Sequence, residues 1–160
     1  MDILISDVGN IEHSLTNNRE GLTVISDNGR IKPCQGCFNC WIKTPGKCVL
    51  NDGYDNMGAL LSKCDRMIII SRCVYGGYSP FVKNVLDRSI SYLLPYFETK
   101  NGITCHQKRY DNSIALIVHF YGEISDAEKE TARELVKTNG DNMGEKTEIH
   151  FYKSIEEIRV

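Results

Sequence analysis

Runs of apolar, β-branched residues alternate along the chain with segments whose apolar residues recur every three or four positions. The runs predict five strands, at residues 3–6, 22–26, 66–71, 114–120 and 147–152. The third and fourth runs are almost continuously apolar, which is typical of central parallel strands that are covered on both faces. Strands that alternate with helices in this way predict an α/β fold with a doubly wound, five-stranded parallel sheet.

Three segments between these strands have the spacing of amphipathic helices. Residues 79–97 are the longest of them, and residues 54–64 lead into the third predicted strand. Residues 125–139 predict a third helix, because Ser125 and Glu128 have the spacing of a capping box. We expect this helix to end near its Asn-Gly pair, since glycine commonly follows the last helical turn.

Length, composition and charge narrow the class of protein. A chain of 160 residues, 41% hydrophobic and 25% charged, predicts one soluble globular domain at residues 1–160. The formal net charge is −2 and the basic residues are scattered, so we expect no nucleic-acid partner. Neither a basic, apolar leader nor an apolar run of about eighteen residues occurs. We therefore expect no membrane partner and a cytoplasmic location.

Four of the seven cysteines are concentrated in one short stretch with the pattern C-x2-C-x2-C-x7-C. They are Cys34, Cys37, Cys40 and Cys48. Successive spacings of three are typical of thiolates around one corner of a 4Fe-4S cluster, which a fourth thiolate completes. Zinc fits less well, because structural zinc usually takes two separated pairs of ligands. The alternative is a tight turn with free thiols, since cysteine is also a small residue that packs well.

The order of several motifs resembles a known family. The stretches IKPCQGCFNCW and PGKCVLND precede the strand RMIIIS, and VYGGYSPFVKNVLDR follows it. This succession, within residues 21–139, resembles the NADPH-dependent FMN reductase branch of the flavodoxin-like superfamily, and in particular its iron-sulfur flavoproteins. The resemblance implies a flavodoxin-like fold, bound FMN, NAD(P)H as a substrate and a small-molecule electron acceptor. It also implies a homodimer that pairs across the helix after the third strand.

The resemblance implies that the loop after the third strand lines the flavin ring, together with the loop after the fourth. The residues concerned are Cys73, Val74, Tyr75, Gly76, Gly77, Tyr78, Tyr121 and Gly122. Glycines let backbone amides approach a flat ring, and aromatic side chains stack on it.

The loop departs from the family pattern of serine, proline, valine, tyrosine, tryptophan and glycine. Arg72 and Cys73 stand at the serine and proline, and Gly76 stands at the tryptophan. No side chain is assigned a catalytic role, because the flavin carries the electron chemistry. The alternative is a strand-to-helix turn whose glycines serve its shape only.

The first loop departs further from the family. Members bind the FMN phosphate with a long loop rich in Gly, Ser and Thr that runs into a helix, whereas only DVGNIEHSLTNNREG stands here. This stretch predicts a shortened first helix. Gly9, Asn10 and Ser14 are candidates for a reduced phosphate cradle, while Asp7 and Glu12 would repel a phosphate. Two alternatives to an FMN oxidoreductase therefore stay open: a 4Fe-4S electron-transfer flavoprotein, and a flavin-free binding or regulatory descendant.

Other residues have less specific signals. Cys64 follows an apolar helix and is interpreted as a core residue. Cys105 and His106 lie in the stretch TCHQKRY, which we interpret as irregular. Trp41, directly after the cysteines, either shields a flavin from water or anchors its own loop.

Overall fold

The structure is a computed structural model that describes residues 1–9, 21–100 and 102–159. Its strands are β1 (Asp2–Ser6), β2 (Leu22–Ser26), β3 (Arg66–Arg72), β4 (Leu93–Lys100), β5 (Ile103–Lys108), β6 (Ile114–Tyr121) and β7 (Gly144–Tyr152). Its helices are α1 (Asn39–Ile42), α2 (Met57–Leu61), α3 (Pro80–Arg88) and α4 (Asp126–Met143), with 3-10 turns at Ser89–Tyr92 and Ile155–Glu157. Five strands form a parallel sheet in the order β2-β1-β3-β6-β7. The predicted fold class is therefore confirmed.

The strand order places the residues that follow β1, β3 and β6 at one edge of the sheet. Ile3 of β1 pairs with Thr23 of β2 on one side and with Met67 of β3 on the other. The chain leaves β1 toward β2 and later returns to the opposite side of β1 with β3, so the order reverses beside β1. Open parallel sheets bind ligands at the carboxyl ends of the strands near such a reversal.

The sheet is buried on both faces, as its apolar central strands predict. On one face, residues of β1, β3 and β6 pack with α3 and α4 in a single cluster. On the other face, Leu4, Ile68 and Ile70 pack against Ile158 near the carboxyl end of the described chain. Val118 and Phe120 belong to the first face, and strand alternation therefore places His119 on the second.

His119 is a titratable group inside this second face. It is 5% exposed, its ring stacks on that of His150 at 5.0 Å, and its Nδ1 lies 3.2 Å from the Tyr152 hydroxyl. Burial, with a smaller effect of His150, lowers the pKa of His119 from 6.5 to about 4. The folded protein consequently keeps this imidazole neutral at pH values where an unfolded chain protonates it.

We expect the free energy of unfolding to fall by about 2 kcal/mol from about pH 7 to about pH 5 because of His119. The unfolded state takes up a proton as the pH falls through 6.5, whereas the folded state takes it up only near 4. Urea denaturation at a series of pH values measures this slope, with His119→Leu as the comparison. Parallel pH profiles for wild type and variant would show that His119 is not responsible.

The predicted helix at residues 79–97 was wrong in its second half. Helix α3 ends at Arg88, and Leu93–Lys100 instead forms β4, which pairs antiparallel with β5. Pro95 explains the difference, because proline has no amide hydrogen for a helix and disfavours helical backbone at the preceding residue. The interpretation of Cys105 and His106 as irregular was also wrong, since both lie in β5.

The other two predicted helices exist with different bounds. Helix α2 is shorter than predicted, while α4 continues to Met143 with Gly140 buried inside it. The capping box is present: the Ser125 amide donates to Glu128 Oε2 at 2.9 Å, and the Glu128 amide donates to Ser125 Oγ at 3.3 Å. The predicted first helix falls on residues 10–20, which lie outside the described residues. Across the described ranges, no helix combines the length and apolar composition that a membrane span requires.

Candidate functional site

The loop after β3 folds into a two-residue hairpin turn. The Val74 amide donates to the Gly77 carbonyl at 2.9 Å, and the Gly77 amide donates to the Val74 carbonyl at 2.8 Å. Between them, Tyr75 and Gly76 have φ values of 52° and 79°, and two positive φ values are what a type I′ turn requires. Tyr75 is a non-glycine residue in the left-handed region, and it is 89% exposed. Residues 73–78 are called the aromatic turn below.

The aromatic turn rests directly on α4. A Cβ at Gly76 would lie 2.7 Å from Thr131 Cβ and 2.9 Å from the Glu128 carbonyl, so only glycine fits between turn and helix. Hydrogen bonds from Ser125 lower the pKa of Glu128, and the Tyr75 amide adds to this effect. The capping box of α4 and the position of the turn are thus coupled through Glu128.

Tyr78 points inward rather than toward the edge of the sheet. Its ring stacks on Phe120 at 5.4 Å, and its hydroxyl accepts a hydrogen bond from Asn139 Nδ2 at 3.1 Å. Burial raises its pKa to about 12. Cys73 is half-buried, and burial raises the pKa of its thiol. The structure therefore places Tyr75 outward and makes Tyr78 a packing residue.

The loops after β3 and β6 meet at the sheet edge, as predicted, and Asp7 joins them. The Cys73 amide donates to the Tyr121 carbonyl at 3.0 Å. One oxygen of Asp7 accepts from the Tyr121 hydroxyl at 3.1 Å, and the other accepts from the Arg72 amide at 2.8 Å. Burial, followed by the Asp7 charge, raises the pKa of Tyr121 to about 12. Gly122 continues the same edge with a φ of 118°.

Sequence reasoning missed the structural role of Asp7. It treated the carboxylate only as a source of repulsion near a phosphate. In the structure, its two oxygens accept hydrogen bonds from Arg72 at the end of β3 and Tyr121 at the end of β6. The available signal was its position directly after β1, at the reversal of strand order. Gly9 is exposed beside it, while Asn10, Glu12 and Ser14 lie outside the described residues.

These residues fit a flat ring by shape. Tyr75 offers an exposed aromatic face, and Gly77 adds no side chain that would hold a ring away from the backbone. The Val74 and Gly77 amides are bonded to carbonyls of the same turn, so they are not free to donate to a ligand. The aromatic turn is therefore suited to stacking more than to hydrogen bonding.

The four clustered cysteines line one cavity, which we call the cysteine pocket. It has a volume of about 340 Å³, and it is lined by the four cysteines, by apolar side chains and by Gln35, Gly36 and Asp87. The apolar lining is Phe38, Trp41, Val49, Leu50 and Ile90. The four cysteines therefore line the same cavity.

Residues around the cysteine pocket show how its loop is held. Phe38 has a positive φ of 58°, is 58% exposed and stacks on Trp41 at 5.7 Å. Trp41 donates from its indole nitrogen to the Leu93 carbonyl at 2.9 Å. Of the two roles considered for Trp41, the contacts therefore support the loop anchor.

Neighbouring sulfurs affect the pKa of one thiol, but the four cysteines are not arranged as a metal site. Burial, and then the neighbouring Cys48 and Cys34 sulfurs, raise the pKa of Cys40. Within residues 1–9, 21–100 and 102–159, no group of three or more His, Cys, Asp or Glu side chains is arranged to hold a metal ion. The predicted 4Fe-4S cluster is thus not supported by the side-chain geometry, and these residues do not fit it as they stand.

Arg88 fixes the loop that carries Cys48, a role that sequence reasoning did not find. Its side chain is fully buried, and all of its nitrogens donate. The acceptors are Cys48 Sγ at 3.1 Å, the Lys32 carbonyl at 2.8 Å, the Leu50 carbonyl at 3.0 Å, and Asp52 Oδ1 and Oδ2 at 2.9 and 2.8 Å. The Arg88 guanidinium holds the pKa of Asp52 well below its usual range.

Comparisons with known proteins agree with this fold. No protein-family profile matches the chain. An iron-sulfur flavoprotein from Methanocaldococcus jannaschii is 32% identical over 82 residues, which covers 44% of this chain and 42% of that protein. The chain thus matches somewhat less than half of this relative's length.

Solved structures show the fold class. An FMN-dependent NADH-azoreductase from Bacillus anthracis, in complex with FMN, aligns over 94% of this chain and 85% of its own with a TM-score of 0.51 and 10% identity. A thermophilic tryptophan halogenase from Streptomycin violaceusniger aligns with a TM-score of 0.44 and 13% identity over 96% of this chain and 84% of its own, too low a likeness to support an argument. The chain has the flavodoxin-like fold that the sequence resemblance implies.

Proposed function

We propose that this protein is an FMN-dependent NAD(P)H oxidoreductase that passes electrons to a small acceptor. The observation that carries the proposal is the meeting of the aromatic turn with Tyr121 and Gly122 at the carboxyl edge of the central strands β3 and β6. Flavodoxin-like sheets bind their ligand at this edge. The named cofactors of the two similar proteins point in the same direction, since one is an iron-sulfur flavoprotein and the other was solved with FMN.

In this proposal, FMN when bound accepts a hydride from NAD(P)H and releases electrons to the acceptor. Tyr75 stacks on the flavin ring, Gly77 lets the ring approach the backbone, and Gly76 lets the turn pack against α4. Asp7 fixes the relative positions of the ends of β3 and β6, because it accepts hydrogen bonds from the Arg72 amide and the Tyr121 hydroxyl. Because Asp7 also carries a negative charge, the FMN phosphate must lie away from it.

The remaining parts of the proposal concern partners and location. We propose that the protein works as a homodimer in the cytoplasm, as one domain, without nucleic-acid or membrane partners. Pairing across α3 is what the sequence resemblance implies. Sedimentation velocity of the purified protein tests the dimer.

Replacing Tyr75 with asparagine tests the flavin site without disrupting the turn. Asparagine is favoured in a type I′ turn before glycine, so Tyr75→Asn removes the aromatic face while it preserves the backbone. We expect the dissociation constant for FMN, measured by quenching of flavin fluorescence, to rise about tenfold. Tyr96→Ala is the matched control, because Tyr96 is also exposed but lies on β4.

The same titration separates the alternatives. Riboflavin that binds within about threefold of FMN would show that the phosphate contributes little, as Asp7 suggests. Colourless protein that binds neither flavin would contradict the proposal and favour the flavin-free alternative. Protein purified without oxygen that contains iron and shows a broad brown absorption would favour the 4Fe-4S alternative.

A further inference from the structure

A cavity of about 460 Å³ lies where β6 and β7 end, and we call it the β6–β7 pocket. Gly122 follows β6, Phe151 and Tyr152 are the last two residues of β7, and Ile124 completes the uncharged part of the lining. The Gly122 amide donates to the Tyr152 carbonyl at 3.1 Å, which joins the two loops. The pocket therefore lies at the same carboxyl edge of the sheet as the proposed flavin site.

The rest of the lining is charged and consists of two cations and two carboxylates, Lys129, Lys153, Glu123 and Glu157. Lys129 pairs with Asp126 at 3.2 Å, and Glu157 Oε2 accepts from the Lys153 amide at 3.1 Å. In the part of the chain that the structure describes, the Lys153 ammonium and the Glu123 carboxylate take part in no ion pair. Among the described side chains, no ion pair competes with a ligand for these two groups.

The β6–β7 pocket adjoins the proposed flavin site at Gly122, which belongs to both. A Cβ at this position would lie 3.9 Å from Arg72 Cγ, so the Arg72 side chain lies beside the junction. Gly122 has no side chain of its own to separate the two spaces. One extended ligand can therefore reach from the pocket to the flavin site.

Aromatic contact in the pocket comes from Tyr152 more than from Phe151. The Arg133 guanidinium lies over the Phe151 ring at 5.3 Å, and Phe120 stacks on the same ring at 6.1 Å. Tyr152 stacks on His119 at 5.7 Å and also lines the pocket. A flat base in the pocket would thus contact Tyr152.

The charges select the chemistry of the ligand. Lysine ammonium groups suit phosphate oxygens, but Glu123 and Glu157 would repel a phosphate that made no other contact. A ligand that also carries ribose hydroxyls can donate hydrogen bonds to these carboxylates, as ribose does in other nucleotide sites. A phosphate, a ribose and a flat base together form a nucleotide. The volume of about 460 Å³ is within the usual range for small-molecule sites.

We propose that the β6–β7 pocket binds the adenosine diphosphate half of NAD(P)H, from which the nicotinamide half extends past Gly122 to the flavin. This inference rests on the proposed function for the identity of the whole nucleotide, because the electron donor is the ligand that must reach the flavin. Recognition of ADP by the pocket needs no flavin, so it can be tested separately.

Titration of the wild-type protein with ADP, followed by amide NMR spectra, tests the site. We expect saturable shifts of the Gly122 and Lys153 amides with a dissociation constant of about 1 mM or below. Inorganic pyrophosphate and adenosine should each bind at least about tenfold more weakly, because each lacks groups that part of the pocket recognises. Absence of a saturable shift up to about 10 mM ADP would overturn the proposal, as would pyrophosphate that binds as tightly as ADP.

An ADP analogue without the two ribose hydroxyls tests the carboxylates. We expect 2′,3′-dideoxyadenosine diphosphate to bind wild type at least about fivefold more weakly than ADP, since it cannot donate to Glu123 or Glu157. Equal affinities would refute the role of these carboxylates.

Lys153→Met tests the cation. Lys153 is exposed, so the change removes the ammonium group without opening the core. We expect the dissociation constant for ADP to rise about tenfold. Lys137→Met is the matched control, because Lys137 is exposed on α4 and is not part of the pocket lining. Wild-type affinity of Lys153→Met for ADP would be incompatible with the proposal.

Steady-state kinetics of the FMN-loaded protein connect the pocket to the proposed function. We expect Lys153→Met to raise the KM for NADH or NADPH about tenfold, with less than about a twofold change in kcat. The difference from wild type should disappear with reduced nicotinamide mononucleotide, because that donor lacks the adenosine half. A loss that persists with this smaller donor would contradict the placement of the adenosine half in the pocket.

The two proposals fail in different ways. Protein that binds ADP at Gly122 and Lys153 but binds no flavin would contradict the oxidoreductase and support the nucleotide site. Protein that oxidises NAD(P)H with bound FMN but does not bind ADP in the β6–β7 pocket would support the oxidoreductase and overturn this inference.

Discussion

Replacing Gly58 with alanine is expected to lower the free energy of unfolding by about 3 kcal/mol. A Cβ at this position would lie 2.6 Å from the Gly46 carbonyl and 2.6 Å from Ser91 Oγ, with the Ser91 carbonyl carbon at 3.2 Å. Two of these three atoms belong to backbone, so the contacts cannot be relieved by a rotamer change. Alanine would add about 1 kcal/mol of helix propensity to α2, and the steric effect must exceed that gain.

Urea denaturation of Gly58→Ala against wild type measures this loss. Asn56→Ala is the matched control: Asn56 precedes the same helix, is exposed and makes no side-chain capping bond, so we expect a change below about 0.5 kcal/mol. A Gly58→Ala protein as stable as wild type would contradict the close packing of α2 against the turn at Gly46. Because the Gly46 amide also donates a hydrogen bond to the Cys40 carbonyl, the variant should disturb the cysteine pocket as well.

The sheet could be predicted from sequence because its signals are local. The nearly continuous apolar runs in β3 and β6 predict strands that are covered on both faces of the sheet. In the structure, side chains on both faces of these strands are buried. The capping box of Ser125 and Glu128 is equally local, since both partners lie within one helical turn. Location, oligomeric state and the single-domain organisation stay predictions.

The hairpin of β4 and β5 shows where local patterns fail. Leu93 and Leu94 satisfy a helical period as well as a strand, and the choice depends on Pro95 and on pairing with residues further along the chain. A residue whose partners are non-local leaves no periodic signal. Asp7 is such a residue, because it bonds to Arg72 and Tyr121 far along the sequence.

The cysteine pocket was predictable only in part. The spacing of the four cysteines predicts a common site for them, and in the structure all four line one cavity. It does not determine the directions of the sulfurs, which depend on the positive φ of Phe38, on the Trp41 bond to Leu93 and on Arg88. The aromatic turn is a similar case: its glycines predict a tight turn, but not the pairing of the Val74 and Gly77 amides within it.

Replacing Arg88 with methionine is expected to lower the free energy of unfolding by about 3–5 kcal/mol, the largest effect among the substitutions considered. Methionine fills similar space but leaves the Asp52 carboxylate, which is 4% exposed, without its cationic partner and with only the Lys32 and Tyr54 amides as donors. It also removes the donors for Lys32, Leu50 and Cys48. Urea denaturation near neutral pH measures the loss, and Lys83→Met, in an exposed ion pair on the same helix, should change stability by less than about 0.5 kcal/mol.

A double-mutant cycle with Asp52→Asn identifies the cause. The Arg88→Met/Asp52→Asn protein should be at least about 2 kcal/mol more stable than the sum of the two single losses predicts, because no buried charge then remains unpaired.

In wild type, Arg88 holds the pKa of Asp52 below its ordinary value of 3.8, so this stabilisation is present above that pH and is lost only in stronger acid. In Arg88→Met the unpaired carboxyl takes up a proton more readily, and the variant should lose less stability than wild type as the pH falls. A loss below about 1 kcal/mol at neutral pH, with no coupling to Asp52, would contradict the buried fork and the fixed position of Cys48 that depends on it.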